Sequence, residues 1–133
     1  MTSQISDPES ATASEKVMLE VVGNVEALVD YALERVGQPP RGSTEEVGHY
    51  RALNQAKLNG KQREALRVLL EETAFNVAVS IFALLDNTLE PEVEDFPRIA
   101  VVAQGSGQPL AASLAEEFER LWNEGAEEDE NGE

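Results

Sequence analysis

The chain has 133 residues, 26 of them acidic and 10 basic, a formal net charge of -16, and no cysteine. The length points to one domain able to bury a core. The lack of cysteine excludes disulfides, thiolate metal sites and cysteine nucleophiles, and the charge sets the surface against nucleic-acid phosphates and anionic membranes.

Residues 1–11 are polar, with Pro8 and several Ser and Thr, and are expected to be disordered. A single helical domain is expected over 12–124. Thr12-x-x-Glu15 fits a capping box. Met18, Val22, Val25, Val29, Ala32 and Val36 follow at steps of four and three, which predicts an amphipathic helix. Gly37 ends it, and Pro39-Pro40 keep it from resuming. Ser43-x-x-Glu46 is a second capping box, opening a short helix to about Leu58. Asn59-Gly60 is a turn signal, and a long helix is predicted from about Lys61 to Leu89, stopped before Pro91.

After the acidic loop EPEVEDF, the run RIAVVAQ (98–104) is β-branched and reads as a strand, with PLAAS as a short return after Gly105-Ser106-Gly107. Ser113-x-x-Glu116 is a third capping box, before a helix that carries Leu114, Phe118, Leu121 and Trp122 on one face. Gly125 is expected to end that helix, leaving 125–133 as an acidic, disordered tail. The predicted fold is mostly α: about four helices around the central long helix, with a small β-hairpin before the last one.

The long helix changes character along its length. In its second half, Thr73, Asn76 and Ser80, with Asn87 beyond, fall in one sector, and Phe75, Ala78, Phe82 and Leu85 fall opposite. Two structures satisfy this. The preferred one buries the second half nearly all round as the core helix, so that Thr73, Asn76, Ser80 and Asn87 become interior polar groups and a possible pocket. The other turns the polar sector to water and sets Phe75 and Phe82 against the hairpin or a second chain. The longest apolar run, around Ala74–Leu85, is too short to span a bilayer, and residues 1–16 lack a secretory layout. A cytoplasmic location is expected, with no membrane or nucleic-acid partner.

Catalytic patterns fail one by one. Glu46-x-x-His49 has a metal-ligand spacing, but His49 is the only histidine, so the second copy that a di-metal bundle needs is missing. A hydrolase triad would have to join His49 to Ser80 or Ser106, and the sequence around Ser106 lacks the nucleophile-elbow pattern. Glu71-Glu72 lacks the further glutamate of a Glu-Glu-x-x-Glu helix, because position 75 is Phe. Neither a metal nor a cofactor is expected.

Charge carries more information. Residues 41–67 hold a basic block of Arg41, Arg51, Lys57, Lys61, Arg63 and Arg67, while 68–133 hold sixteen acids and two bases. Glu26, Asp30 and Glu34 form an acidic ridge at steps of four; Asp86, Glu90, Glu92, Glu94 and Asp95 form a second patch. The basic block either neutralises one of them within the fold or binds an anion. The layout and charge together resemble small acidic bacterial immunity-type proteins, and this implies an inhibitor-like role without assigning any residue. The expected function is non-catalytic docking of the two acidic patches on a basic protein partner. The alternatives are a structural or adaptor homodimer, and a small-molecule binder or enzyme around Asn76 and Ser80.

Overall fold

The computed structural model describes residues 12–42, 45–110 and 113–131, with side chains from 126 onward and at 45–46 left aside. The helices described are α1 (Ala13–Gly37), α2 (Glu45–Gln55), α3 (Gly60–Leu85) and α4 (Leu114–Asn131). The chain divides into two compact units. The middle unit is Asn24–Phe75, and the terminal unit takes the residues up to Gly23 and from Asn76 onward.

In the terminal unit, α1 opens as the sequence predicts. Glu15 N–H donates to Thr12 Oγ1 at 3.1 Å, and Thr12 N–H donates back to Glu15 Oε1 at 2.9 Å, a complete capping box. One turn on, Met18 is 1% exposed and shares the core with Leu114, Ala115, Phe118 and Leu121. The Phe118 ring lies 5.3 Å from Phe82 and 5.9 Å from Trp122, in tilted stacks. Buried Ser14 donates to a Glu117 oxygen. Arg120 reaches Glu124 at 3.1 Å, Glu15 at 3.3 Å and Glu117 at 3.8 Å, tying the start of α1 to α4.

The Thr12 N–H, and beside it Arg120, hold the Glu15 carboxyl below its ordinary value of 4.5, against a smaller opposing push from burial. A lowered folded-state pKa contributes stability that is whole above the ordinary value and is lost as pH falls through the lowered one. The wild type is therefore expected to lose melting temperature more steeply than Glu15→Gln between about pH 5 and about pH 3. Thermal melts across that range check this, and parallel slopes for the two proteins would remove Glu15 from the account.

α3 is the long helix that the sequence places here, but it is not a buried one. None of its residues is fully buried, and Thr73, Asn76 and Ser80 are exposed. The expectation of a second half buried nearly all round is corrected, because one side of this half faces solvent. The arrangement with the polar sector in water is the one found, except that Phe82 meets Phe118 of α4 rather than the hairpin or a second chain. The helix also stops four residues early. Asn87 takes a left-handed φ of 62°, its N–H donates to Leu84 O at 3.1 Å, and Thr88 N–H donates to Ala83 O at 3.0 Å. That is a Schellman closure, with Asn in the place usually held by Gly.

The hairpin is reduced to one antiparallel bridge, Val102 to Pro109. Ala103 N–H donates to Gln108 O at 2.9 Å and Leu110 N–H to Val101 O at 3.1 Å, so the chain does reverse where expected. Gly105 and Gly107 turn it with φ of 100° and 71°, which side chains resist. No strand forms among the described residues, so the predicted β-hairpin shrinks to this loop. α4 runs on through Gly125 to Asn131, past the predicted stop.

In the middle unit, Val29, Val36 and Val47 are the buried residues among those described. Asn54 Nδ2 donates to Val36 O at 2.9 Å and Gly37 O at 3.2 Å, satisfying carbonyls left open at the end of α1. α2 ends at Gln55, before the predicted Leu58, with Lys57 at a φ of 53°. Asn59 and Gln62 cap α3 reciprocally, Gln62 N–H to Asn59 Oδ1 at 2.8 Å and Asn59 N–H to Gln62 Oε1 at 3.0 Å. The predicted capping box at Ser43 and the segment 1–11 lie outside the described residues.

Candidate functional site

Two places are built well enough to bind something, one in each unit. In the middle unit, the second half of α1 and the first half of α3 enclose a cleft of about 460 Å³. Asp30, Leu33 and Glu34 line one wall, and Arg63, Glu64, Leu66 and Arg67 the other. Arg67 Nη1 donates to Asp30 Oδ1 at 2.8 Å and lies 3.9 Å from Glu71. The bond to Asp30 raises the Arg67 pKa above its ordinary value, in spite of partial burial. The basic block thus neutralises part of the acidic ridge inside the fold, through Arg67 and Asp30. Glu34 stays exposed on the cleft wall, Glu26 is exposed and already engaged, and Asp30 is committed to Arg67. The described lining offers carboxylates, guanidiniums and aliphatic side chains. Chemically it can hold a charged side chain. His49 is elsewhere in this unit, stacked on Tyr50 at 4.2 Å, and Arg35 lies over Tyr31 at 4.3 Å.

In the terminal unit the second acidic patch separates into a structural residue and a free loop. Asp86 accepts from Leu114 N–H at 2.8 Å, Ala115 N–H at 3.0 Å and Ser113 Oγ at 3.2 Å. It caps α4, so its carboxylate is engaged within the fold. Asn87 accepts from Ile99 N–H at 3.0 Å and donates to Ile99 O at 2.9 Å, pinning the loop just beyond Asp86. Asn87 also lines two small hollows of about 160 and 170 Å³, the second walled by Leu84, Leu89 and Phe96. Thr73, Asn76 and Ser80 stand exposed on α3 and are not gathered into a pocket around a buried polar group. Glu90, Glu92, Glu94 and Asp95 are exposed and make no ion pair among the described residues. Val93, in their midst, is 70% exposed.

The charge distribution follows the same division. The terminal unit holds eighteen acidic and three basic residues, the middle unit eight and seven. Sequence reading sees the total and the acidic runs; it misses the Asp86 cap, whose partners lie 27 to 29 positions away. The Asn59-x-x-Gln62 cap was also missed, although its spacing is visible in the sequence. No group of three or more His, Asp or Glu side chains is placed to hold a metal ion among the described residues. By length and composition alone α3 is long and apolar enough to cross a membrane, and it also carries Glu71 and Glu72. Compared with known protein families, curated proteins and solved structures, the chain matches none.

Proposed function

We propose that this is a non-catalytic cytoplasmic binding protein that docks its acidic loop, Glu90 to Asp95, on a basic protein surface. One observation carries the reading: these four carboxylates are exposed and make no ion pair among the described residues, around a Val93 that is 70% exposed. Several other acids are engaged within the fold. Asp30 has Arg67, Glu15 and Glu117 have Arg120, and Asp86 has the start of α4. Carboxylates left unpaired in a unit of such acidity project a field that speeds the approach of a basic surface, and salt weakens that effect. Val93 and the neighbouring, half-exposed Leu89 supply the apolar contact that charge alone lacks. The immunity-like role suggested by layout and charge is one form of this function.

The test compares wild type with a variant in which Glu90, Glu92 and Glu94 become Gln and Asp95 becomes Asn. Each is immobilised, exposed to host lysate at low salt, and eluted by a salt step. A basic protein held by the wild type is expected to be lost from the variant, with association slowed roughly ten- to hundredfold. The same proteins retained equally by both would end the proposal.

A further inference from the structure

The loop that stands in place of the hairpin has one open edge. From Arg98 to Gln104 exposure alternates: Ile99, Val101 and Ala103 are half-buried, and Arg98, Ala100, Val102 and Gln104 are exposed. That is the period of an extended chain with one face on a core. The backbone groups of such a chain alternate as well, between its two edges. On one edge Val101 O accepts from Leu110 N–H, and Ala103 N–H donates to Gln108 O. There too, Ile99 N–H donates to Asn87 Oδ1 and Ile99 O accepts from Asn87 Nδ2. The N–H and C=O groups of Ala100 and Val102 therefore point to the other edge, where they meet no partner among the described residues.

Such an edge is a template for a further strand. From Ile99 to Gln104 it carries neither a charge nor a proline, two common means of closing an edge. Charge selects what is added. Asp95 precedes Arg98 by three residues, at most about 11 Å of chain, which is close to the screening length in dilute salt. An added strand that runs past Arg98 thus enters the field of Glu90, Glu92, Glu94 and Asp95. The edge and these acids belong to the terminal unit, with its eighteen acidic and three basic residues. A second copy would set one such unit against another. A segment with lysine or arginine is attracted instead.

We propose that the basic partner docks by strand addition. An extended segment pairs its backbone with Ala100 and Val102, and lysine or arginine residues beyond the paired stretch meet Glu90 to Asp95. The inference rests on the proposed docking of the acidic loop and specifies the kind of segment that the loop receives. Val102, 47% exposed, gives the alternate side chains of that segment an apolar neighbour.

The probe is the synthetic peptide Lys-Lys-Val-Thr-Val-Thr-Val-Lys-Lys, and amide hydrogen exchange on the full chain reads the pairing. In the free protein the Ala100 and Val102 amides are expected to exchange fast and the Ala103 amide more slowly. With peptide bound, Ala100 and Val102 are expected to slow roughly tenfold or more. Ala100→Pro with Val102→Pro removes both outward N–H groups and no hydrogen bond printed within the loop's own fold. It is expected to weaken peptide binding roughly ten- to hundredfold, with Ala103 exchange unchanged. The wild-type exchange pattern decides alone if that variant does not fold. Peptide bound without slowing at Ala100 and Val102, or no peptide bound, would overturn strand addition. So would amides already protected in a free protein of twice the 14.5 kDa chain mass, which would give the edge to a second copy. The lysate comparison separates the two readings. A basic protein lost from the loop variant but held equally by the proline variant overturns strand addition and leaves the acidic docking in place. One held equally by the loop variant ends both.

Discussion

Phe118→Ala is expected to destabilise the protein by about 3–5 kcal/mol, the range for emptying a buried aromatic site. Phe118 is fully buried, at 0% exposure, and it is where α3 and α4 meet within the terminal unit, through the stack with Phe82. Its second neighbour, Trp122, stands one turn along the same helix. Removing the ring takes away the transfer energy of a whole aromatic side chain and leaves a space that Met18 and Leu121 fill only in part. A domain of this size has about 5–15 kcal/mol in total, so the variant is expected to sit at the edge of unfolding. Urea denaturation followed by Trp122 fluorescence reads both the loss of stability and the loosening of the stack. Leu121→Ala, with no ring contact to lose, is expected to cost less. A Phe118→Ala midpoint within error of wild type would mean that α4 is not held by this cluster.

That cluster was the most legible part of the sequence. Leu114, Phe118, Leu121 and Trp122 recur at helical spacing beside charged residues, and periodicity alone puts them inside. α1 was legible for the same reason, and its Thr12–Glu15 box formed as written. The long helix was legible as a helix and not as a buried one. Apolar residues on nearly every side of Phe75–Leu85 suit either a core or an uncovered face, and composition cannot choose between them. Its end was misplaced because Pro91 is the louder stop, whereas Asn87 supplies the left-handed residue at which the helix closes. The hairpin failed as strands although RIAVVAQ has the right residues. A strand needs a partner of matching length, and Pro109 brings no N–H to the ladder at the bridge. Of the candidate site, the exposed loop was legible as a charge run. The roles of Asp30 and Asp86 were not, because each is fixed by a partner far along the chain.

Asp86→Ala is expected to cost about 2 kcal/mol, from the lost cap and from the negative charge at a helix start. Two backbone N–H groups at the opening of α4 and the Ser113 hydroxyl converge on this carboxylate. Ser113 Oγ in turn accepts from Glu116 N–H at 3.2 Å, so the hydroxyl is oriented by both neighbours. Asp86→Asn, which keeps one carbonyl acceptor and loses the charge, is expected to fall between wild type and alanine. The two ends of the segment from Asn87 to Ser113 are closed by this carboxylate, and Asn87 fixes its first part to Ile99. Loosening the Asp86 end should therefore speed amide exchange at Leu114 and Ala115 ahead of global unfolding, measured by hydrogen exchange. The same measurement separates structure from docking. Asp86→Ala at a temperature where it stays folded is expected to keep its hold on a basic partner. Glu92→Gln is expected to weaken that hold while leaving stability and exchange unchanged, because Glu92 is exposed and makes no ion pair among the described residues. If Asp86→Ala loses the partner while α4 exchanges as in wild type, then the carboxylate faces outward when bound, and the acidic patch is larger than the loop.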